Sequence, residues 1–180
     1  MVSRSTWHNI QSDKAWQRLI REQVAERDGG GPHWWVDADL SLQKALVRPC
    51  SRQQAEKVVL EYEWLGTMAT ATDFYAGIFF DGWACGGVTC WATKAHGGGV
   101  NVYKEFGIER HELGYLARGA CTWWTPMGAA SKLIAWSLKL LKSRGLKVAL
   151  AYADTDAGEI GTVYQSTNWL CIGRGTSTTQ

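Results

Sequence analysis

Between residues 112 and 154 the sequence runs strand, helix, strand, and this run constrains the fold more than any other. Residues 112–122 read as a central strand, apolar on both faces in its middle. Thr125-Pro126 then starts a helix, with the proline in the first turn, where its missing N–H costs little. Ala130, Leu133, Ile134, Leu138 and Leu141 form its buried stripe, and Lys132, Lys139 and Lys142 its wet side. Arg144-Gly145 ends it with a cation near the negative end of the dipole and a C-terminal glycine. Residues 147–153 read as a buried strand of the parallel type that closes at Asp154. Such a unit is a right-handed crossover by default, and it requires a sheet to lie on.

The remaining elements fit that sheet. Residues 42–47 read as a strand stopped by Arg48-Pro49. Ser51 starts a helix, and Ser51-x-x-Gln54 has the form of a capping box. Ala55, Val58, Val59 and Tyr62 mark its buried face, and Gly66 closes it. Residues 75–80, Asp81-Gly82 and residues 83–93 read as a β-hairpin, because Asp-Gly suits the positive backbone angles of a tight turn. The glycines at 97–99 form a loop, and residues 101–111 stay ambiguous. A short helix at 158–166 and a last strand at 169–173 complete the order. The fold class is α/β (α+β), with a mixed central sheet flanked by helices.

An amphipathic helix, capped by Ser12 and carrying Trp16, Leu19, Ile20 and Val24, precedes this domain and ends at Gly29-Gly30-Gly31-Pro32. Residues 1–38 form a helical arm that packs on the main domain or on a partner. Residues 39–175 form that domain, and residues 176–180 a frayed tail.

At 180 residues, 46% hydrophobic and 20% charged, the chain has enough apolar material for a core, which excludes disorder. Lys+Arg 19 against Asp+Glu 17 gives +2, which excludes a highly basic coat protein but not a local basic patch. The 11 tryptophans put some indoles near the surface, since each N–H wants a partner. The opening 14 residues have no signal-peptide core, and no run approaches the roughly 20 apolar residues of a membrane span. The expectation is a cytoplasmic, non-membrane protein. Cys50, Cys85, Cys90, Cys121 and Cys171 form an odd set with wide gaps, read as buried thiols and not as a disulfide frame. Cys85, Cys90 and His96 match no zinc spacing, so no metal is expected.

Two places can carry chemistry. Thr125-Pro126-Met127-Gly128-Ala129-Ala130-Ser131 is built from small residues at a helix start. Its free N–H groups could cradle a phosphate, and Ser131 could add a hydroxyl. Ordinary packing of a helix against a sheet explains the same residues, and both readings stand. The second place is the end of the strand that closes at Asp154, since ligands of open α/β sheets sit beyond strand C-termini. Asp154 could accept a proton or orient an amine, or simply cap a turn. Tyr164 could protonate a leaving thiolate, or be a half-buried core tyrosine.

This arrangement resembles the GNAT superfamily of N-acetyltransferases. Thr125-x-x-Gly128-x-Ala130 stands where that superfamily has Q/R-x-x-G-x-G/A, with Thr125 replacing Gln or Arg. Asn168-Trp169 stands where Gly-Phe is usual. A narrower resemblance is to the Mom DNA-modification family, over roughly residues 62–173. It is carried by Leu116-Ala117-Arg118-Gly119-Ala120, by Ala129-Ala130-Ser131-Lys132-Leu133-Ile134, by Tyr152-Ala153-Asp154, and by the block from Gly158-Glu159-Ile160-Gly161-Thr162-Val163-Tyr164 to Gln165-Ser166-Thr167-Asn168-Trp169.

The Mom resemblance implies a GNAT-like enzyme that converts adenine in phage DNA to an N6-substituted carbamoylmethyl form, protecting it against restriction. It implies that Arg118, Ser131, Asp154 and Tyr164 are working residues, with Tyr62 a weaker match. Gly128, Ala129, Ala130 and Ser131 would hold the phosphate of an acyl donor, either acetyl-CoA or another acyl carrier such as an aminoacyl-tRNA. DNA is the implied partner, with the adenine out of the stack. A homodimer is a candidate assembly.

Between residues 113 and 153 there are Arg118, Lys132, Lys139, Lys142, Arg144 and Lys147 and no acid, a zone able to meet a nucleic-acid backbone or simply to be solvated. Trp123-Trp124 and Trp34-Trp35 could stack on a base, or pack in the core and its rim. Two other functions fit the same residues. One is an N-acetyltransferase acting on a protein or small-molecule amine. The other is a non-catalytic nucleic-acid-binding module on the same fold.

Overall fold

The computed structural model describes residues 15–30, 39–94 and 105–173. The Ser12 cap, Trp34-Trp35, His96, the glycines at 97–99 and the tail from 176 lie outside the described residues. The elements in chain order are α1 (Trp16–Arg27), β1 (Leu46–Pro49), α2 (Arg52–Tyr62), β2 (Phe74–Phe80), β3 (Ala84–Ala92), β4 (Leu113–Cys121), α3 (Ala129–Ser143), β5 (Val148–Ala151) and α4 (Thr162–Gln165). The five strands form one sheet in the order β1-β2-β3-β4-β5. The first three pairings are antiparallel, and β4 with β5 is parallel.

Both faces of this mixed sheet are covered, so its central strands read as continuous apolar runs. Phe74, Ala76, Ile78 and Phe80 of β2 join Trp91 and Leu116 under Leu133, Ile134 and Leu141 of α3. Val88, Cys90 and Ala120 lie under Ala55, Val58, Val59 and Tyr62 of α2, with Val24 of α1. Trp91 is fully buried in the first core, with no acceptor for its indole N–H among the described residues, which departs from the expectation that each indole finds a partner.

Local signals place several elements. Gln54 N–H donates to Ser51 Oγ at 3.1 Å and Ser51 N–H to Gln54 Oε1 at 3.0 Å, which completes the capping box. Asp81 (φ 48°) and Gly82 (φ 77°) both turn left-handed at the hairpin.

Other elements differ from the sequence reading. The first strand is Leu46–Pro49, so Arg48-Pro49 lies inside it, and residues 42–44 form a turn. Proline is tolerated because β1 is an edge strand paired only with β2. Helix α3 starts at Ala129 and not at Thr125-Pro126, with Gly128 left-handed (φ 91°) before it. Thr125 is buried: its hydroxyl donates to the Gly86 carbonyl and meets Thr122 Oγ1 at 2.6 Å, which holds that segment against β3. Lys132 is half-buried and not on the wet side; its ammonium donates to the Leu42 carbonyl and, at 2.8 Å, to that of Ala45.

Strand β5 is short and half-buried, as the outer strand of the sheet. The short helix shrinks to Thr162–Gln165. Residues 169–173 form no strand: Trp169 packs inward, while Leu170 and Ile172 are exposed. The run is apolar like a strand, but no described strand lies beside it to share hydrogen bonds. In α1 only Val24 is buried, and Trp16 and Leu19 are exposed, so the expected stripe is only partly used. Of the cysteines only Cys90 is buried and Cys171 is exposed, so the expectation of buried thiols holds for one of them.

A Cβ at Gly86 would lie 2.7 Å from both Phe80 Cε2 and Thr125 Oγ1. Gly86→Ala is therefore expected to cost about 1–3 kcal/mol, read as a lower denaturation midpoint at unchanged m-value. An unchanged midpoint would show that the Thr125 contact does not fix this region.

Candidate functional site

Strands β4 and β5 pair only from Leu113↔Val148 to Leu116↔Ala151. Beyond those residues β4 continues to Cys121 with β3 alone beside it, so the two strands part. The parting coincides with an irregularity: Cys90 pairs with Arg118 but Trp91 with Leu116, which leaves Ala117 as the extra residue of a bulge. A bulge bends its strand and re-aims side chains, and here it directs Arg118.

Arg118 is held on three sides. Its Nε donates to the Thr67 carbonyl at 2.9 Å and its Nη1 to that of Ala117 at 2.6 Å. Glu63, just past α2, lies 3.8 Å from its Nε and is 7% exposed. Glu63 Oε2 also accepts the Leu65 N–H at 2.9 Å. Burial raises the Glu63 carboxyl above the ordinary glutamate value, Arg118 only partly offsets this, and Glu159 adds to it.

Past β5 the chain reaches Tyr152, whose ring meets that of Tyr115 at 5.4 Å, and then Asp154. Asp154 Oδ1 accepts the N–H groups of Asp156 at 2.9 Å and Ala157 at 3.3 Å, so it caps the turn at 154–158. Glu159 returns to the same place: its Oε2 accepts the Asp154 N–H at 3.2 Å. Burial raises the Glu159 carboxyl, and the charge of Asp154 raises it further.

Tyr164 on α4 packs its ring 5.2 Å from that of Trp169, and its hydroxyl donates to the Tyr152 carbonyl at 3.4 Å. Burial raises its phenol well above the ordinary tyrosine value, and Glu159, Tyr115 and Glu63 raise it further. Such a phenol keeps its proton at neutral pH, as a proton donor must. The Trp169 indole N–H beside it is buried with no acceptor among the described residues.

The start of α3 meets this group through Ser131, whose hydroxyl lies 2.6 Å from that of Ser166 at the end of α4. Gly128 is left-handed, and a Cβ there would lie 3.2 Å from Leu42 Cδ1. Ala129 N–H donates to Pro126 and Lys132 N–H to Gly128, whereas those of Ala130 and Ser131 have no backbone acceptor among the described residues. Free N–H groups at a helix start are the kind of donors that meet anions.

Contacts link these positions only in steps: Glu63 lies beside Arg118, Glu159 beside Asp154, the Tyr152 carbonyl beside Tyr164, and Ser166 beside Ser131, while the charge of Glu159 acts on both Glu63 and Tyr164. Tyr62 packs in the other core, and the charges acting on it are those of Glu61, Asp28, Arg27 and Arg21; burial first pushes its phenol up to about 12. Tyr62, Trp123 and Trp124 line a separate cavity of about 360 Å³ with Asp28, Lys57 and Glu61. Trp123 Nε1 donates to Asp28 Oδ2 at 3.3 Å, and Trp124 meets Phe80 edge-on at 5.8 Å. Lys139 is exposed on α3. Lys147 pairs with Glu112 at 2.6 Å.

Glu63, Glu159, Tyr115 and Tyr152 were not singled out from the sequence. Glu159 stands inside the block at 158–169, which could have flagged it. Glu63 has no local signal, because its partner Arg118 is 55 positions away. Among the described residues no group of three or more His, Cys, Asp or Glu could hold a metal ion. No described helix is long and apolar enough to cross a membrane.

The raised Glu159 carboxyl gives a signed expectation. The folded state binds this proton more tightly than the unfolded chain does. Its contribution to stability is therefore complete below the unfolded glutamate value and is lost as pH rises through the folded one. Urea denaturation between pH 4 and 8 should show wild type losing stability relative to Glu159→Gln as pH rises. A pH-independent difference would contradict the burial of this carboxyl.

A model of the Mom protein family matches residues 44–180. A search of curated proteins returned no sequence match. Among solved structures, the aminoglycoside acetyltransferase AAC(6')-Iy, in complex with a CoA-containing bisubstrate analogue, is similar with a TM-score of 0.57 and 12% identity, over 76% of this chain and 97% of that one. An aminoglycoside acetyltransferase from an uncultured soil metagenomic sample, in complex with trehalose, is similar with a TM-score of 0.55 and 12% identity, over 77% of this chain and 97% of that one. At such identities the likeness is one of fold, and that fold is GNAT-like. With the family match spanning well over half its residues, the chain belongs to the Mom protein family.

Proposed function

We propose that this protein is an acyltransferase-type enzyme that modifies adenine at N6 in DNA. The reading is supported by a Mom family chain in which β4 and β5 part after Leu116 and Ala151, with Arg118 on β4 just past the parting, Asp154 and Glu159 just past β5, and the charge of Glu159 acting on the Tyr164 phenol.

The donor is an activated acyl carrier. Solved structures of the same fold contain CoA or a CoA analogue, which supports a CoA thioester; an aminoacyl-tRNA ester is the other carrier the site could take. When bound, such a carrier supplies an activated carbonyl and a leaving group. Gly128, Ala130 and Ser131 would hold its phosphate through backbone N–H groups. Tyr164 would hold the proton that the leaving group needs. Adenine N6 is a weak nucleophile, because its lone pair is delocalised into the ring, so positioning and a nearby base matter more than in amine acetylation. Asp154 has one carboxyl oxygen in the turn cap. Asp154 or Glu159 would take the amine proton, and Arg118 would face developing negative charge. Lys139 and Lys142, both exposed on α3, are the cations of the basic zone best placed to meet a DNA backbone.

The test is nucleoside mass spectrometry of plasmid DNA from cells that express the protein. Modified adenosine is expected with wild type. Tyr164→Phe should lower it by about 10²–10⁴-fold, the usual contribution of a positioned acid. Unmodified adenosine throughout, with folded protein present, would overturn the reading. The second reading, N-acetylation of a small amine, is favoured by the aminoglycoside acetyltransferase neighbours. It predicts turnover of acetyl-CoA with an amine panel and no DNA.

A further inference from the structure

Helix α1 lies outside the segment that matches the family, which begins at residue 44. It nevertheless bonds to the stretch of sheet edge that the parting of β4 and β5 leaves open. Gln17 Nε2 donates to the Gly119 carbonyl at 2.8 Å. Gly119 belongs to the part of β4 that has β3 on one side and no strand on the other. Arg21 Nη2 donates to the carbonyls of Trp123 and Thr125, at 3.3 Å each, on the chain that leads into α3. Trp16 N–H donates to the Ala157 carbonyl at 3.0 Å, in the turn after β5. One helix therefore ties the β4 side of the gap to the β5 side.

Its attachment is mostly polar: besides these bonds, Arg27 pairs with Glu61 at 2.6 Å and Asp28 accepts from Trp123 at 3.3 Å, while Ile20 packs at the rim of the second core. The helix has 12 residues, no side chain caps its first turn, and Val24 is its one buried residue. A helix of this length is marginal in water without packing. Arg21 Nε is buried with no acceptor among the described residues. The Trp16 ring, half-exposed, touches Trp64 at 5.5 Å. At its C-terminal end Gly29 and Gly30 are both left-handed. An element with so few buried contacts opens at low free energy. The Gly119 carbonyl needs a donor, and an extended ligand carrying amide N–H groups can supply one as well as Gln17 does.

We propose that α1 is a displaceable strap over the open edge of β4, and that the donor enters by taking the hydrogen-bonding place of Gln17 at Gly119. This rests on the reading that the groove between β4 and β5 takes the donor. Strap and donor then exclude one another on this edge.

Hydrogen exchange of the full chain, read by mass spectrometry with coenzyme A as the probe, tests this. Bound coenzyme A should slow exchange at 117–123 and speed it at 16–27 by about tenfold or more. The double substitution Gln17→Ala and Arg21→Ala, which weakens the strap, should tighten coenzyme A binding by about tenfold. Binding only to that variant would also support the strap. Binding that protects 117–123 while 16–27 stays protected would overturn it, as would binding that leaves 117–123 unprotected, or no binding to either protein. The plasmid nucleosides report on the DNA reading separately: modified adenosine without coenzyme A binding would remove the strap and leave adenine modification standing.

Discussion

The structure depends on a parallel pairing that lasts only four residues. From Leu113 to Leu116 β4 shares hydrogen bonds with β5; from the bulge at Ala117 onward it does not. Backbone N–H and C=O groups on a sheet edge must find partners somewhere. That requirement explains why so much converges here. Gln17 reaches the Gly119 carbonyl, Arg118 folds back on the Ala117 carbonyl, and the chain after β5 turns through Asp154 without rejoining β4.

The same parting sets the electrostatics. Glu63, Glu159 and Tyr164 are held above their ordinary pKa values by burial first; the charge of Glu159 also raises Glu63 and Tyr164, and that of Asp154 raises Glu159. Buried carboxyls and a buried phenol pushed up in this way favour their protonated forms more than exposed ones do. Ser131 and Ser166 join the helix start on one side of the gap to the short helix that carries Tyr164 on the other.

The legible part of this architecture is the part that short-range physics decides. The Ser51/Gln54 box and the Asp81-Gly82 turn follow from backbone geometry within four residues. The apolar runs of β2 and β3 and the stripe of α3 follow from burial on both faces of the sheet. What was not legible depends on contacts distant in sequence. Thr125 belongs to the Gly86 carbonyl, which moves the start of α3 from Pro126 to Ala129. Lys132 reads as a solvated lysine until the carbonyls of Leu42 and Ala45 come beside it. Residues 169–172 are apolar like a buried strand, but composition does not supply a neighbour. In the site, Asp154 and Tyr164 could be picked out from their place after a strand and on a short helix. Glu63 could not, because only the folded chain brings it to Arg118.

The central claim is that adenine is presented at the parted ends of β4 and β5. Photocrosslinking with DNA that carries 8-azidoadenine, followed by peptide mapping, tests it most directly. The account predicts adducts on peptides that contain residues 152–169 or 117–124. Adducts confined to other surfaces, from a protein that modifies DNA, would place the reaction elsewhere and contradict it.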